Sequence, residues 1–306
     1  MKLVFGPEEL EEARYLIERA LAEDMPRGDL TTEGLLGRSG GPRVRADIVS
    51  RQAGVACGLP VAAELFRGAA PAVLVGGRVS DGDRIEPGSV LAELRGPAGP
   101  ILSLERIALN FMGRLSGIAT LARAWVDATL AGAGAGRRTK VLETRKTTPG
   151  WRRLEKYAVR AGGAENHRMG LSDALLVKDN HAAVLRALGR SAIPEWVAGL
   201  RGAHPDVFLE VEVDGRAEFL EALDAGVDAI LLDNFALEDI RWAVAERDAR
   251  RQGAGRPLLE ASGGLRLPAA ADVAATGVDR ISVGALTHSA PTLDVGLDFK
   301  GLEDSV

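Results

Sequence analysis

The chain has 306 residues, 46% hydrophobic and 26% charged, with 38 basic and 43 acidic side chains for a net charge of −5. These values suit a folded globular chain of about two domains and exclude a surface given over to nucleic acid. Cys57 is the single cysteine, which excludes an intrachain disulfide or a multi-cysteine zinc site and favours a reducing, cytoplasmic setting. No apolar run approaches the roughly 18 residues of a membrane span. Residues Met1 to Glu9 turn acidic too early for a secretory signal.

The first hundred residues read as mixed α/β. Glu8 to Ala22 has helical spacing, with Leu10, Ala13, Ile17, Ala20 and Leu21 on one side. Arg43 to Val49 alternates as a half-buried strand, with Val44, Ala46 and Ile48 facing one way. Val73–Val75 and Ser89–Leu94 are further short strands, separated by the turn signals Asp81-Gly82-Asp83 and Glu86-Pro87-Gly88. A long helix follows from about Ser103 to Leu130 and ends in the Gly/Ala tract of 131–136, a loop leading into a second domain.

From residue 139 the pattern changes. Short apolar runs at 141–142, 174–177, 207–213, 229–232, 258–259 and 280–283 alternate with helical stretches near 151–161, 182–200, 216–225, 235–250 and 268–276. That alternation predicts βαβ units and a parallel sheet. Six strands are evident where a closed barrel needs eight, so the barrel is either incomplete, with six or seven strands, or has strands the pattern does not reveal.

Polar residues gather where these strands end. Glu143, Arg145 and Lys146 follow the first; Lys178, Asp179 and Asn180 follow the second. Glu210 and Glu212 lie on the third, and Asp233-Asn234 end the fourth. Ser262-Gly263-Gly264 and Gly284 follow the fifth and sixth. In parallel α/β barrels active sites form at this end. Paired glycine loops after the last two strands let backbone N–H groups approach a phosphate; either loop alone reads sooner as a tight turn, and only the two together bring the phosphate reading level with it. Glu212 and Asp233 can hold ribose hydroxyls or Mg²⁺, or pair with nearby cations. Residues 137–168 carry ten Lys and Arg against Glu143, Glu155 and Glu165. This basic stretch reads as an anion site or as a solvated helix face.

These residues resemble a known family. Glu143-Thr144-Arg145-Lys146-Thr147-Thr148-Pro149-Gly150, Asn166-His167-Arg168-Met169-Gly170-Leu171-Ser172-Asp173 and Leu176-Val177-Lys178-Asp179-Asn180-His181 are similar to the signatures of quinolinate phosphoribosyltransferases. So are Glu210–Val213, Leu232-Asp233-Asn234, Glu260–Gly264 and Ser282–Ser289, and in the N-terminal half Gly28–Thr32 and Leu104–Phe111. Ala164 and Trp151 depart from the pattern and bear only on loop geometry.

The resemblance implies an N-terminal α/β sandwich over 1–115, an incomplete α/β barrel over 116–287, and a tail, 288–306, returning to the first domain. It implies transfer of phosphoribosyl from phosphoribosyl pyrophosphate to quinolinate, with Mg²⁺ and loss of CO₂, in NAD synthesis. Quinolinate would be bound by Arg106, Arg145, Lys146, His167, Arg168 and Lys178, with Arg106 supplied by the partner of a homodimer that sometimes builds hexamers. Glu212 and Asp233 would take the ribose hydroxyls and Mg²⁺; Ser262, Gly263, Gly264 and Gly284 would take the 5-phosphate. Lys146, Lys178, Glu212 and Asp233 would carry the chemistry. The alternatives are a sister phosphoribosyltransferase group associated with molybdenum transport and a non-catalytic anion-binding barrel.

Overall fold

The computed structural model describes residues 3–37, 39–132, 139–250 and 256–303. Most of the Gly/Ala tract, Arg137 and Arg138 of the basic stretch, and the last three residues lie outside them. Twelve strands occur among the described residues: β1 (Arg43–Ser50), β2 (Gly54–Val55), β3 (Leu74–Gly77), β4 (Arg84–Ile85), β5 (Val90–Pro97), β6 (Lys140–Leu142), β7 (Leu175–Val177), β8 (Leu209–Val213), β9 (Ala229–Asp233), β10 (Leu258–Ser262), β11 (Arg280–Ser282) and β12 (Val295–Leu302). The chain divides into two units. One comprises the chain up to Arg123, Lys146–Gly163 and the segment from Ala285 onward; the other comprises Ala124–Arg145 and Ala164–Gly284.

The first unit is built on a four-stranded sheet in the order β12-β1-β5-β3, with antiparallel pairing throughout. β1 buries Val44, Ala46 and Ile48, the alternation its sequence dictates. The helix Pro7–Asp24 opens with proline in its first turn and with the Glu9 carboxylate accepting the Gly6 N–H at 2.9 Å. It buries Ala13, Leu16 and Ile17. Helices Leu30–Leu36 and Leu59–Ala69 are additions to the sequence reading. Each is short, and Asp29 caps the first by accepting the Thr32 N–H at 3.0 Å.

Ala98–Gly132 forms one helix, longer than the 103–130 its spacing suggests. Within this unit the C-terminal segment runs across it: the Leu293 N–H donates to the Gly113 carbonyl at 3.0 Å. A Cβ at Gly117 would lie 1.9 Å from the Pro291 carbonyl oxygen, so only glycine allows that approach. The helix Arg152–Ala161 carries four of the ten basic residues of that stretch. Its first N–H groups, those of Arg153 and Leu154, donate to Glu12 at 3.2 and 2.8 Å. Arg153 pairs with Glu8, and Arg160 with Glu9 at 2.6 Å. Buried Glu155 meets Arg114 at 2.6 Å. Trp151 stacks on Phe111 with ring centroids 5.0 Å apart, so its larger ring is packed.

The second unit holds six parallel strands in the order β6-β11-β10-β9-β8-β7. This is the order of a barrel left open between β6 and β7. An isolated parallel bridge joins Leu142 to Glu165 at that gap, with the Glu165 N–H donating to the Val141 carbonyl at 2.9 Å. The strands are the six anticipated, and each is followed by helix. The single helix expected at 182–200 is instead two, Asp179–Ala187 and Ile193–Ala203. Gly189 (φ +74°) ends the first in a left-handed turn, and Pro194 opens the second. The helix expected at 268–276 begins as a 3₁₀ turn, Leu267–Ala269, and is α-helical only over Ala270–Ala275.

Candidate active site

Parallel pairing puts the carboxyl ends of all six strands on one side of the sheet, and the polar residues there are close neighbours. Glu143, just past β6, is fully buried. It accepts the Asn166 side-chain N–H at 3.0 Å and the His167 backbone N–H at 3.1 Å. One carboxylate thereby ties the segment that closes the gap to the end of β6.

The His167 ring then reaches two further buried carboxylates. Its Nε2 lies 3.3 Å from Glu210 on β8 and 3.3 Å from Glu260 on β10, which are 1% and 0% exposed. Both sit mid-strand in apolar runs, Leu209-Glu210-Val211 and Leu259-Glu260-Ala261. Buried carboxylates are costly unless a cation compensates them. Arg280, also inward on β11, approaches Glu260 at 3.9 Å. Burial opposes a charged His167, but the hydrogen bonds and charges of Glu210 and Glu260 outweigh it and lift the ring to about 9. The Arg168 N–H donates to Nδ1 at 2.8 Å; that contact belongs to the neutral ring and resists the charging. Burial, with the charge of Glu260, raises Glu210 in turn. Two glutamates, one histidine and one arginine leave this group near neutrality.

Beside it stand two guanidinium groups. Burial, together with the nearby charge of Arg145, holds Arg168 below its ordinary range. Arg168 is fixed by an N–H donated to the Ala174 carbonyl at 3.0 Å. A cavity of about 290 Å³ opens here, lined among others by Glu165, His167, Arg168, Asp173, Phe208 and Arg280. Two guanidiniums and the His167 ring stand against two carboxylates, which leaves a cationic side suited to a compact anion with a flat apolar body.

At the neighbouring strand ends, Lys178 Nζ lies 3.5 Å from Glu212. The Lys178 backbone is held by its N–H donating to His181 Nδ1 at 3.0 Å. The Asp179 N–H points to Glu212 at 3.4 Å. Asp233 and Ser262 are register partners on β9 and β10. Gly263 and Gly264 turn away with φ of +89° and +55°, and Gly284 follows β11. Glu212 and Asp233 together offer oxygen donors only. That suits Mg²⁺, which keeps several waters and takes its remaining ligands from substrate phosphates.

The second unit thus gathers Arg145, His167, Arg168, Lys178, Glu212, Asp233, Ser262, Gly263, Gly264 and Gly284. Arg106 and Lys146 belong to the first unit. There, Arg106 is exposed on the long helix, and the Lys146 carbonyl accepts the Thr287 hydroxyl at 2.8 Å. Sequence reasoning placed Glu143, Glu210 and Asn234 at the strand ends without giving them a role, and gave none to Glu260 or Arg280. An acidic residue inside an apolar strand run was the available signal for Glu210 and Glu260.

Comparison with known proteins agrees with this geometry. The quinolinate phosphoribosyl transferase N-terminal domain matches residues 29–116, and the C-terminal domain of the same family matches residues 118–298. The chain is 44% identical to the nicotinate-nucleotide pyrophosphorylase [carboxylating] of Mycobacterium leprae, covering 95% of this chain and 98% of that protein. It is 38% identical to the probable enzyme of the same name from Bacillus subtilis, covering 96% and 95%. Among solved structures, NadC from Streptococcus pyogenes superposes with a TM-score of 0.86 at 35% identity, covering 99% of this chain and all of that one. The nicotinate-nucleotide pyrophosphorylase of Francisella tularensis gives 0.84 at 33% identity, covering 95% and 97%. Matched in both domains and along nearly its whole length, the chain belongs to the quinolinate phosphoribosyl transferase family.

Proposed function

We propose that this protein is a carboxylating nicotinate-nucleotide pyrophosphorylase: it joins quinolinate to phosphoribosyl pyrophosphate and releases nicotinate mononucleotide, pyrophosphate and CO₂. The observation that carries this reading is the cavity lined by Arg168, Arg280 and His167, where the nearby charge of Arg145 adds to that of Arg168 and two buried glutamates favour the charged ring. Like charges held together are relieved by an anion, and a pyridine with two carboxylates matches both the charge and the size.

In this reading Arg145, His167 and Arg168 grip the quinolinate carboxylates, with Lys146 and Lys178 serving the carboxylates and the departing pyrophosphate. Glu212 and Asp233 hold the ribose hydroxyls, and the Ser262–Gly264 loop and Gly284 hold the 5-phosphate with backbone N–H groups. Glu212 and Asp233 would also hold Mg²⁺, which when bound would supply charge neutralisation for the leaving group. The bond from C1 of the ribose to pyrophosphate breaks, and the carboxylates stabilise the cationic sugar that develops. The pyridine nitrogen attacks that carbon. The ring nitrogen, now positive, accepts the electron pair released when the 2-carboxylate departs as CO₂, and C2 then takes up a proton. We place the reaction in the cytoplasm, in a homodimer whose Arg106 completes the partner's site.

The test is direct. The full-length protein is incubated with quinolinate, phosphoribosyl pyrophosphate and Mg²⁺, and CO₂ and nicotinate mononucleotide are measured. Nicotinate in place of quinolinate should give no product, because one carboxylate leaves a buried cation uncompensated at a cost of about 2–5 kcal/mol. Efficient use of nicotinate, or no product from quinolinate, overturns the reading.

A further inference from the structure

Asn234 follows Asp233 directly and is the one residue other than glycine, among those described, with a positive φ, +56°. Asparagine tolerates the left-handed region better than other side chains, but the conformation still has to be held by its surroundings. Three contacts hold it. The Asn234 backbone N–H crosses to β10 and donates to the Ser262 carbonyl at 3.0 Å. The side-chain Nδ2 turns back and donates to Asp233 Oδ2 at 2.7 Å. The remaining side-chain oxygen lies against the glycine loop, where a Cβ on Gly263 would be 2.3 Å from Oδ1 and 2.8 Å from the Asn234 nitrogen.

Asn234 therefore touches both halves of the site that the proposed function gives to phosphoribosyl pyrophosphate. It fixes the rotation of the Asp233 carboxylate, and it packs so closely on Gly263 that the loop has one available path. We propose that Asn234 is a positioning residue for the phosphoribosyl donor: its left-handed turn sets the spacing between the carboxylate that takes the ribose hydroxyls and the loop that takes the 5-phosphate. This inference rests on the proposed function and goes beyond it, since it assigns donor recognition to a side chain that need not touch the donor.

Two substitutions separate Asn234 from a purely structural turn residue. Glycine at 234 keeps the positive φ at no cost and removes only the amide. Aspartate keeps shape and turn but sets an acceptor against Asp233 where a donor is needed.

The experiment uses the full chain. Phosphoribosyl pyrophosphate with Mg²⁺ is titrated calorimetrically into the parent, Asn234→Gly and Asn234→Asp. KM for each substrate and thermal midpoints are measured on the same proteins. Losing a hydrogen bond to a charged group at this position should weaken donor binding in Asn234→Gly about 10- to 100-fold. The quinolinate KM should stay within about twofold and the midpoint near the parent's. Asn234→Asp should be impaired at least as much. Parent-like donor binding in Asn234→Gly overturns the inference, as does an equal shift in both substrates' KM values. A parent that binds no phosphoribosyl pyrophosphate overturns the proposed function itself, a result distinct from either of these.

Discussion

Replacing Glu260 with glutamine should return the His167 ring to neutrality near pH 7.5. The change keeps the shape of the side chain and removes one of two charges that lie 3.3 Å from Nε2. At that distance and an effective dielectric of about 20, a pair of unit charges is worth about 5 kcal/mol. The rise of the ring from its ordinary 6.5 to about 9 corresponds to only roughly 3.4 kcal/mol. With the burial cost still in place, loss of one carboxylate takes the ring to 6.5 or below. The chain has four histidines, so imidazole NMR between pH 5.5 and 10 can follow each ring. The His167 ring of the parent should titrate near 9, and that of Glu260→Gln at about 7 or below. Stability should move with it. A folded-state value above the unfolded one contributes stability fully present below about pH 6.5 and lost as the pH climbs through about 9. The contribution is at most about 3 kcal/mol, and the raised carboxyl of Glu210 offsets part of it. The fall in parental stability between pH 6.5 and 9.5 should therefore flatten in the variant. A ring still titrating near 9 in Glu260→Gln would show that the carboxylates do not set its charge.

Three further outcomes are expected. Arg168→Ala should lower kcat/KM for quinolinate roughly 30- to 4000-fold, the equivalent of about 2–5 kcal/mol, with its melting midpoint little changed; near-parental kcat/KM would remove Arg168 from the substrate's ligands. Asp233→Asn should weaken phosphoribosyl pyrophosphate binding in calorimetry while quinolinate binding persists, and the reverse pattern would contradict the assignment. Arg106→Ala and Lys146→Ala, each inactive alone, should recover roughly a quarter of parental activity when mixed after dissociation, since about half the dimers are then mixed and each has one intact site; no recovery with subunit exchange confirmed would place Arg106 in its own subunit's chemistry or in none.

The parallel sheet was legible because each of its six strands is an apolar run with a polar terminus. Glu212, Asp233 and Ser262 could be read at those termini because a parallel sheet aligns all its carboxyl ends. What the pattern hides is what lies inside the barrel. Glu210 and Glu260 sit two residues deeper than Glu212 and Ser262, in apolar runs, and their partner His167 comes from a segment with no strand periodicity of its own. Only the fold brings that ring within 3.3 Å of both. Asn234 was hidden for another reason: its importance lies in a backbone angle, and an Asp-Asn dipeptide after a strand reads as any turn. The helix Leu59–Ala69 escaped because it is short. Its apolar residues, among them Val61, Leu65 and Phe66, are buried by packing rather than announced by a long period.

The basic stretch shows why net charge alone could not separate the functional from the structural reading. Its residues sit in different settings, and its helix Arg152–Ala161 is largely buried rather than a solvated face. Arg153 and Arg160 face acids of the first helix, Glu8 and Glu9, and Lys140 meets Glu165 at 2.8 Å on an exposed surface. Exposed pairs of that kind contribute about 0–1 kcal/mol and require no ligand. Arg168 is different in kind: its guanidinium is disfavoured by burial and by a like charge from Arg145. Packing alone would not select two guanidiniums there. An anion bound beside them would offset that like charge further, as Asp173 and Glu210 already do in part for Arg168. By the same logic, a saturating dianion should stabilise the parent more than Arg168→Ala, because binding to the folded state alone adds RT ln(1 + [L]/Kd). A parent and variant that gain equally in thermal midpoint from quinolinate would place the anion elsewhere.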